Sequence, residues 1–190
     1  MDKYYKEHTQ EFIDSTINCD MSDVYGFFEN HLHSKGTILD IGFGSGRDML
    51  YFKSKGYEIY GIDPEENFVK HAKKMGLDNV FALKVEDISF DNKFDGIWAC
   101  ASLLHICSEN LKNVFVKCQK ALKQNGIIYV SFKYGNFEGK RAGRYYLDLT
   151  EETIKNYCKD TKLEIVDIKI TDDVRADRHE KWLNVILKKK

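Results

Sequence analysis

Apolar residues recur along this chain in two rhythms, and the rhythm switches back and forth. Short apolar runs stand at Ile38 to Ile41, Tyr57 to Ile62, Val80 to Lys84, Phe94 to Cys100, Ile127 to Phe132, Leu163 to Ile170 and Trp182 to Leu187. Their length and their glycine, asparagine or charged flanks predict strands. Between them, Arg47 to Lys55, Glu65 to Met75, Glu109 to Leu122 and Thr150 to Lys159 space their apolar residues three or four apart, which gives a helix one apolar face. Thr150 suits an N-cap with an acid at the third helical position as in a capping box, and Pro64 suits the first turn of the second of these helices. Two more helices precede the first strand. Asp2 to Asn18 places Tyr4, Tyr5, His8, Phe12 and Ile13 on one face, and Asp20 to His33 carries Val24, Phe27, Phe28 and Leu32, with Asp20 or Ser22 as its cap. Strands alternating with helices predict an α/β domain, and the last two apolar runs predict an antiparallel pair that closes its sheet.

The chemistry is concentrated after the first strand, in Asp40-x-Gly42-x-Gly44-x-Gly46 followed by a helix. Glycines at this spacing let the backbone turn through positive φ and let a ligand lie against the main chain, where a Cβ would fill its space. A dinucleotide fingerprint needs a third glycine at position 47, where this chain has Arg47, so a nicotinamide-dependent oxidoreductase is disfavoured. The acid at the strand's end suits a cationic ligand better than a pyrophosphate. Asp63 ends the second strand, seventeen positions after Gly46, near the distance at which such folds place a carboxylate against ribose hydroxyls; a helix cap is the other reading of that residue.

Composition narrows the class. The chain has 190 residues, a formal net charge of -1 and five cysteines without a C-x-x-C pair. This is the size of one domain, with no global field to recruit nucleic acid or a membrane surface. It suits reduced thiols, no metal site and a cytoplasmic setting. Neither a signal peptide nor a membrane-spanning run is evident in the sequence.

The D-x-G-x-G-x-G run resembles motif I of the class I S-adenosylmethionine-dependent methyltransferases, with Phe43 where that family often has cysteine. The series as a whole is most similar to the small-molecule branch, such as tellurite-resistance and ubiquinone-biosynthesis methyltransferases. The resemblance implies one domain over residues 1–190, with lid helices in 1–35 and a Rossmann-like core in 36–190. It implies a seven-stranded sheet of order 3-2-1-4-5-7-6, with strand seven antiparallel and helices on both faces. The implied cofactor is S-adenosylmethionine, leaving as S-adenosylhomocysteine, held by Asp40, Gly42, Phe43, Gly44, Gly46, Arg47, Asp63, Pro64 and Cys100, with Asp87 and Ile88 at the adenine.

Residues 100–105 follow the fourth strand and are expected to face the transferred methyl. His105 is either a base for the acceptor or a structural histidine at a helix start. Tyr4 and Tyr5 either pack on ligand and substrate, with Tyr5 a second catalytic candidate, or form the apolar face of a docking helix. Lys133 to Arg144 has three glycines, four cations and one acid, which predicts a long loop that is either solvated or binds a small, anionic acceptor through Lys133, Tyr134 and Arg144. Exocyclic-amine methyltransferases of nucleic acids carry Asn or Asp before prolines after the fourth strand; here that segment is Ala99-Cys100-Ala101-Ser102. A small-molecule acceptor is therefore expected. An RNA acceptor, or a cofactor-binding module without catalysis, is the alternative. The oligomeric state is not encoded in any recognisable pattern.

Overall fold

Alternate residues of the central strands face opposite sides, and the two sides carry two separate apolar cores. The computed structural model describes residues 3–175 and 178–190. In chain order the elements are α1 (Lys3–Glu7), α2 (Thr9–Thr16), α3 (Ser22–Glu29), β1 (Thr37–Ile41), α4 (Arg47–Ser54), β2 (Glu58–Asp63), α5 (Glu66–Lys74), β3 (Val80–Ala82), β4 (Phe94–Ala99), α6 (Ser108–Ala121), β5 (Leu122–Lys133), β6 (Glu138–Arg141), β7 (Arg144–Leu147), α7 (Glu151–Cys158), β8 (Leu163–Asp172) and β9 (Lys181–Lys189). Seven strands form one sheet in the order β3-β2-β1-β4-β5-β9-β8. Strands β1 to β5 pair in parallel, and β9 runs antiparallel to both β5 and β8. With the β6–β7 hairpin set aside, this is the expected order 3-2-1-4-5-7-6.

Leu39, Ile97 and Ile128 face one side, where they pack with Leu111, Phe115 and Ile154 of α6 and α7. Their neighbours Ile38, Trp98 and Tyr129 face the other, with Phe28, Phe52 and Phe68 of α3, α4 and α5. Residues buried on both faces explain why these strands read as continuous apolar runs. Among the described residues no helix is long and apolar enough to cross a membrane.

Several boundaries differ from the sequence expectation. The helix expected from Asp2 to Asn18 breaks at His8, between α1 and α2, where φ is -118°; its first residue, Asp2, lies outside the described residues. The glycine- and cation-rich segment after β5 is a hairpin, not a long loop: β6 and β7 pair antiparallel around Ala142-Gly143, both at positive φ (47° and 78°), the conformation of a two-residue turn that matches strand twist. Pro64 precedes the cap of α5, whose N-cap is Glu65, its carboxylate accepting from the Asn67 N–H at 3.1 Å. The third residue of the Thr150 capping box is Thr153 and not an acid.

Candidate functional site

The glycine loop joins β1 to α4, and Gly42, Gly44 and Gly46 all have positive φ (72°, 50° and 79°). A Cβ built on each would meet the chain itself: Ser102 Cβ at 2.6 Å, Phe12 Cε1 at 2.8 Å and Met75 Cε at 2.7 Å. The space expected for a ligand beside Gly44 is thus taken by Phe12 of α2. A β-branched residue at positive φ is strained whatever its surroundings. Gly44→Val is therefore expected to lower stability as well as displace α2, which a urea titration together with protease sensitivity of the first twenty residues would register; unchanged stability would contradict it.

Four charged side chains converge beneath this loop. Asp63 is buried, and its Oδ1 accepts from the Glu65 N–H at 2.8 Å while Oδ2 accepts from the Gly44 N–H at 3.1 Å. The carboxylate thereby clamps the glycine loop to the β2–α5 turn, and burial pushes its pKa up to about 6. Asp40, 2% exposed, has an Oδ2 with no hydrogen-bond partner; burial first, then the Asp48 charge, raise its pKa well above the ordinary value. Asp48 accepts from Tyr25 Oη (2.5 Å), Arg47 Nε (2.6 Å) and Nη2 (3.0 Å), and Trp98 Nε1 (2.8 Å). Arg47 also reaches the carbonyl of Thr16 at 3.3 Å, which ties the end of α2 to the loop.

A cavity of about 710 Å³ opens over the carboxyl ends of β1, β2, β4 and β5, beneath α1 and α2. That volume is large enough for a drug-sized ligand. Its far end is built from the hairpin and the N-terminal helices. His105 Nδ1 lies 2.6 Å from the Tyr145 carbonyl, and since a carbonyl only accepts, Nδ1 carries the proton. In the neutral ring Nε2 is then the acceptor for the Tyr5 hydroxyl at 3.0 Å. Arg144 Nη1 donates to the same hydroxyl at 3.4 Å, and its guanidinium lies 4.5 Å from the Tyr4 ring and 5.3 Å from the Tyr146 ring. Burial raises the pKa of Tyr5 and pushes the Cys100 thiol up to about 12, so both are neutral in the folded protein.

The cavity is lined by Tyr4, Tyr5, Gly42, Phe43, Gly44, Arg47, Asp63, Pro64, Cys100, His105, Lys133 and Arg144 among the residues expected from sequence. Asp40 and Gly46 lie behind the loop and do not line it. Two expectations shift. Asp87 is exposed and Ile88 is in the core, because β3 ends at Ala82 and a 3-10 turn over Val85–Asp87 follows; Val85 and Glu86 take their places on the cavity wall. Tyr134 is 39% exposed, bonds to Glu151 at 2.9 Å and lies outside the cavity, because the hairpin turns the chain away at that point. Asp48, Ser131 and Tyr146 line the cavity and carried no sequence signal, apart from the position of Asp48 directly after the motif; Phe12 lines it too, and its only signal was its place on the apolar face of the first helix.

A family model described as a methyltransferase domain matches residues 39–130. The phosphoethanolamine N-methyltransferase of Plasmodium falciparum is 32% identical over 106 residues, which are 53% of this chain and 40% of that protein, so the chain spans less than half of that relative's length. An uncharacterized methyltransferase of Staphylococcus carnosus is 24% identical over 97% of both chains. The crystal structure of Burkholderia thailandensis 1,6-didemethyltoxoflavin-N1-methyltransferase, with bound 1,6-didemethyltoxoflavin and S-adenosylhomocysteine, superposes with a TM-score of 0.81 at 20% identity, covering 99% of this chain and 84% of that one.

Proposed function

We propose that this chain is a class I S-adenosylmethionine-dependent methyltransferase and that it transfers the donor's methyl group to a small acceptor bearing negative charge, within the cavity between the glycine loop and the N-terminal helices. The observation that carries this reading is the division of one cavity into an acidic end, at Asp48 and Asp63, and a cationic, aromatic end, at Tyr4, Arg144 and Tyr146. The acidic end fits the donor. The Asp63 carboxylate is the acceptor for the ribose hydroxyls; Gly42, Phe43, Gly44, Arg47, Pro64 and Cys100 complete the pocket, with Gly46 setting the loop's turn and Val85 and Glu86 at the adenine. When bound, S-adenosylmethionine supplies an electrophilic methyl for in-line displacement.

The chain's own work is to orient the acceptor, remove water and accept a proton. Residues 1–35 act as a lid over the core of 36–190. Tyr5 faces the acceptor's O–H or N–H and passes its own proton to His105 Nε2, while the Tyr145 carbonyl fixes the ring. Neutral Cys100 packs without acting as a nucleophile.

Incubation with methyl-tritiated S-adenosylmethionine and a panel of small carboxylates, phosphates and phenols, run beside bulk RNA, tests the reading. Label is expected in a small acceptor; label confined to RNA, or no label in any acceptor, would contradict it.

Asp63→Ala is expected to weaken S-adenosylhomocysteine binding by about 1 to 3 kcal/mol, the usual effect of losing a charged acceptor, as read by calorimetry on protein shown to be folded. The wild type is expected to lose affinity as pH falls below about 6, where the carboxyl takes up a proton. The apo protein moves the other way at this group. Its folded pKa lies above the ordinary 3.8, so its stability contribution is full below that value and lost as pH rises through about 6. Affinity that stays flat from pH 7.5 to 5 would remove Asp63 from the ligand.

A further inference from the structure

The cationic end of the cavity has more positive charge than its own acids satisfy. Lys133 pairs with Glu180 at 2.6 Å, Arg141 with Asp148 at 2.7 Å, Arg175 with Asp173 at 3.3 Å and Lys181 with Asp172 at 2.9 Å. Once these pairs are made, no ion pair to Arg144 or Arg178 remains among the described residues, although both line the cavity. Arg144 is held firmly all the same. It sits on β7, over the rings of Tyr4, Tyr5 and Tyr146 at 4.5, 5.8 and 5.3 Å, and its Nε is buried without a hydrogen-bond partner. Arg178 comes from the β8–β9 connection, and its charge acts on the Tyr146 hydroxyl together with that of Arg144. A half-buried guanidinium with an unmet donor is costly unless an anion completes it. Its planar fork matches two oxygens of one group.

Resting on the methyltransferase reading of this chain, we propose that the acceptor carries a small oxyanion, a carboxylate or a phosphate, and that Arg144 is its specificity-determining residue, with Arg178 completing the subsite beside Tyr146. The arrangement separates the two ligands by charge. The acids under the glycine loop draw the cationic donor to one end, and the two arginines draw the anionic acceptor to the other. The hydroxyl of Tyr5, bonded to both Arg144 and His105, then stands between the acceptor's anchor and its reacting group. The anchor thus also sets how the acceptor's nucleophile meets the Tyr5 and His105 pair.

The test uses the full chain saturated with S-adenosylhomocysteine, titrated with benzoate, phenyl phosphate and the uncharged isostere benzamide. Binding is read by calorimetry and by the fluorescence of Trp182, which lines the cavity. At least one of the anions is expected to bind about tenfold or more tightly than benzamide, as a charged hydrogen bond in a partly buried site implies, and to weaken with added salt. Preference for benzoate assigns a carboxylate, and preference for phenyl phosphate assigns a phosphate. Arg144→Met keeps the packing on the tyrosines and is expected to remove the preference while S-adenosylhomocysteine still binds. Arg178→Met, on a separate loop, carries the same expectation if the first variant does not fold. Intact S-adenosylhomocysteine binding with benzamide as tight as the anions, with neither anion bound, or with both variants retaining the preference, overturns the inference alone. Failure of the wild type to bind S-adenosylhomocysteine overturns the methyltransferase reading and the acceptor assignment with it.

Discussion

Asp48→Ala is expected to cost about 3 to 5 kcal/mol of stability, the range found when one partner of a buried charged pair is removed. The residue is 7% exposed, and its side chain takes bonds from a phenol, an indole and a guanidinium. Tyr25 and Trp98 are buried at 5% and 0% exposure, so their polar atoms lose a charged acceptor that only water entering from the cavity beside Asp48 can replace. Arg47 loses its only carboxylate among the described ion pairs, and with it the geometry that reaches the Thr16 carbonyl. The end of α2 should therefore loosen together with the core. Asp48→Asn keeps the shape and an acceptor oxygen, and its loss is expected to be smaller. Urea titrations of the two variants check this, and a loss below about 1 kcal/mol for the alanine would show that the three donors find other partners.

His105→Gln and Tyr5→Phe are each expected to lower the rate of methyl transfer by about 10² to 10⁴, the usual contribution of a positioned proton acceptor. The effect should be in kcat, since neither residue holds the donor. In the proposed relay the two residues work in series, so the double variant should be no slower than the slower single. Single-turnover rates with the acceptor identified by the tritium assay decide it. If Tyr5→Phe keeps the wild-type rate while His105→Gln does not, the histidine acts directly. If both keep it, the acceptor needs no base and the pair only shapes the cavity.

The layers of this protein were legible because they rest on local patterns. Residues such as Ile38-Leu39 and Trp98-Ala99, apolar on both faces, mark buried parallel strands, and Gly42, Gly44 and Gly46 mark a turn that only positive φ can make. The carboxylate at the end of β2 followed from its distance to that turn. What was hidden depends on contacts distant in sequence. Phe12 against Gly44, and Asp48 between Tyr25 and Trp98, are juxtapositions that no periodicity encodes. The β6–β7 hairpin was read as a loop because its glycines and charges mask a short strand pair on which Arg144 is carried. The expectation of Asp87 and Ile88 at the cavity wall misses by two residues because β3 ends at Ala82 and the 3-10 turn after it rotates that wall. Such a shift costs nothing in pattern and changes which side chain faces the cavity.

Isothermal titration of the purified wild-type chain with S-adenosylmethionine, S-adenosylhomocysteine and NADH tests the central claim most directly, because every role assigned to the acidic end of the cavity depends on the cofactor. Saturable one-to-one heats are expected from the first two, and none from NADH. Silence from both sulfur ligands, or binding of NADH in their place, would contradict the account.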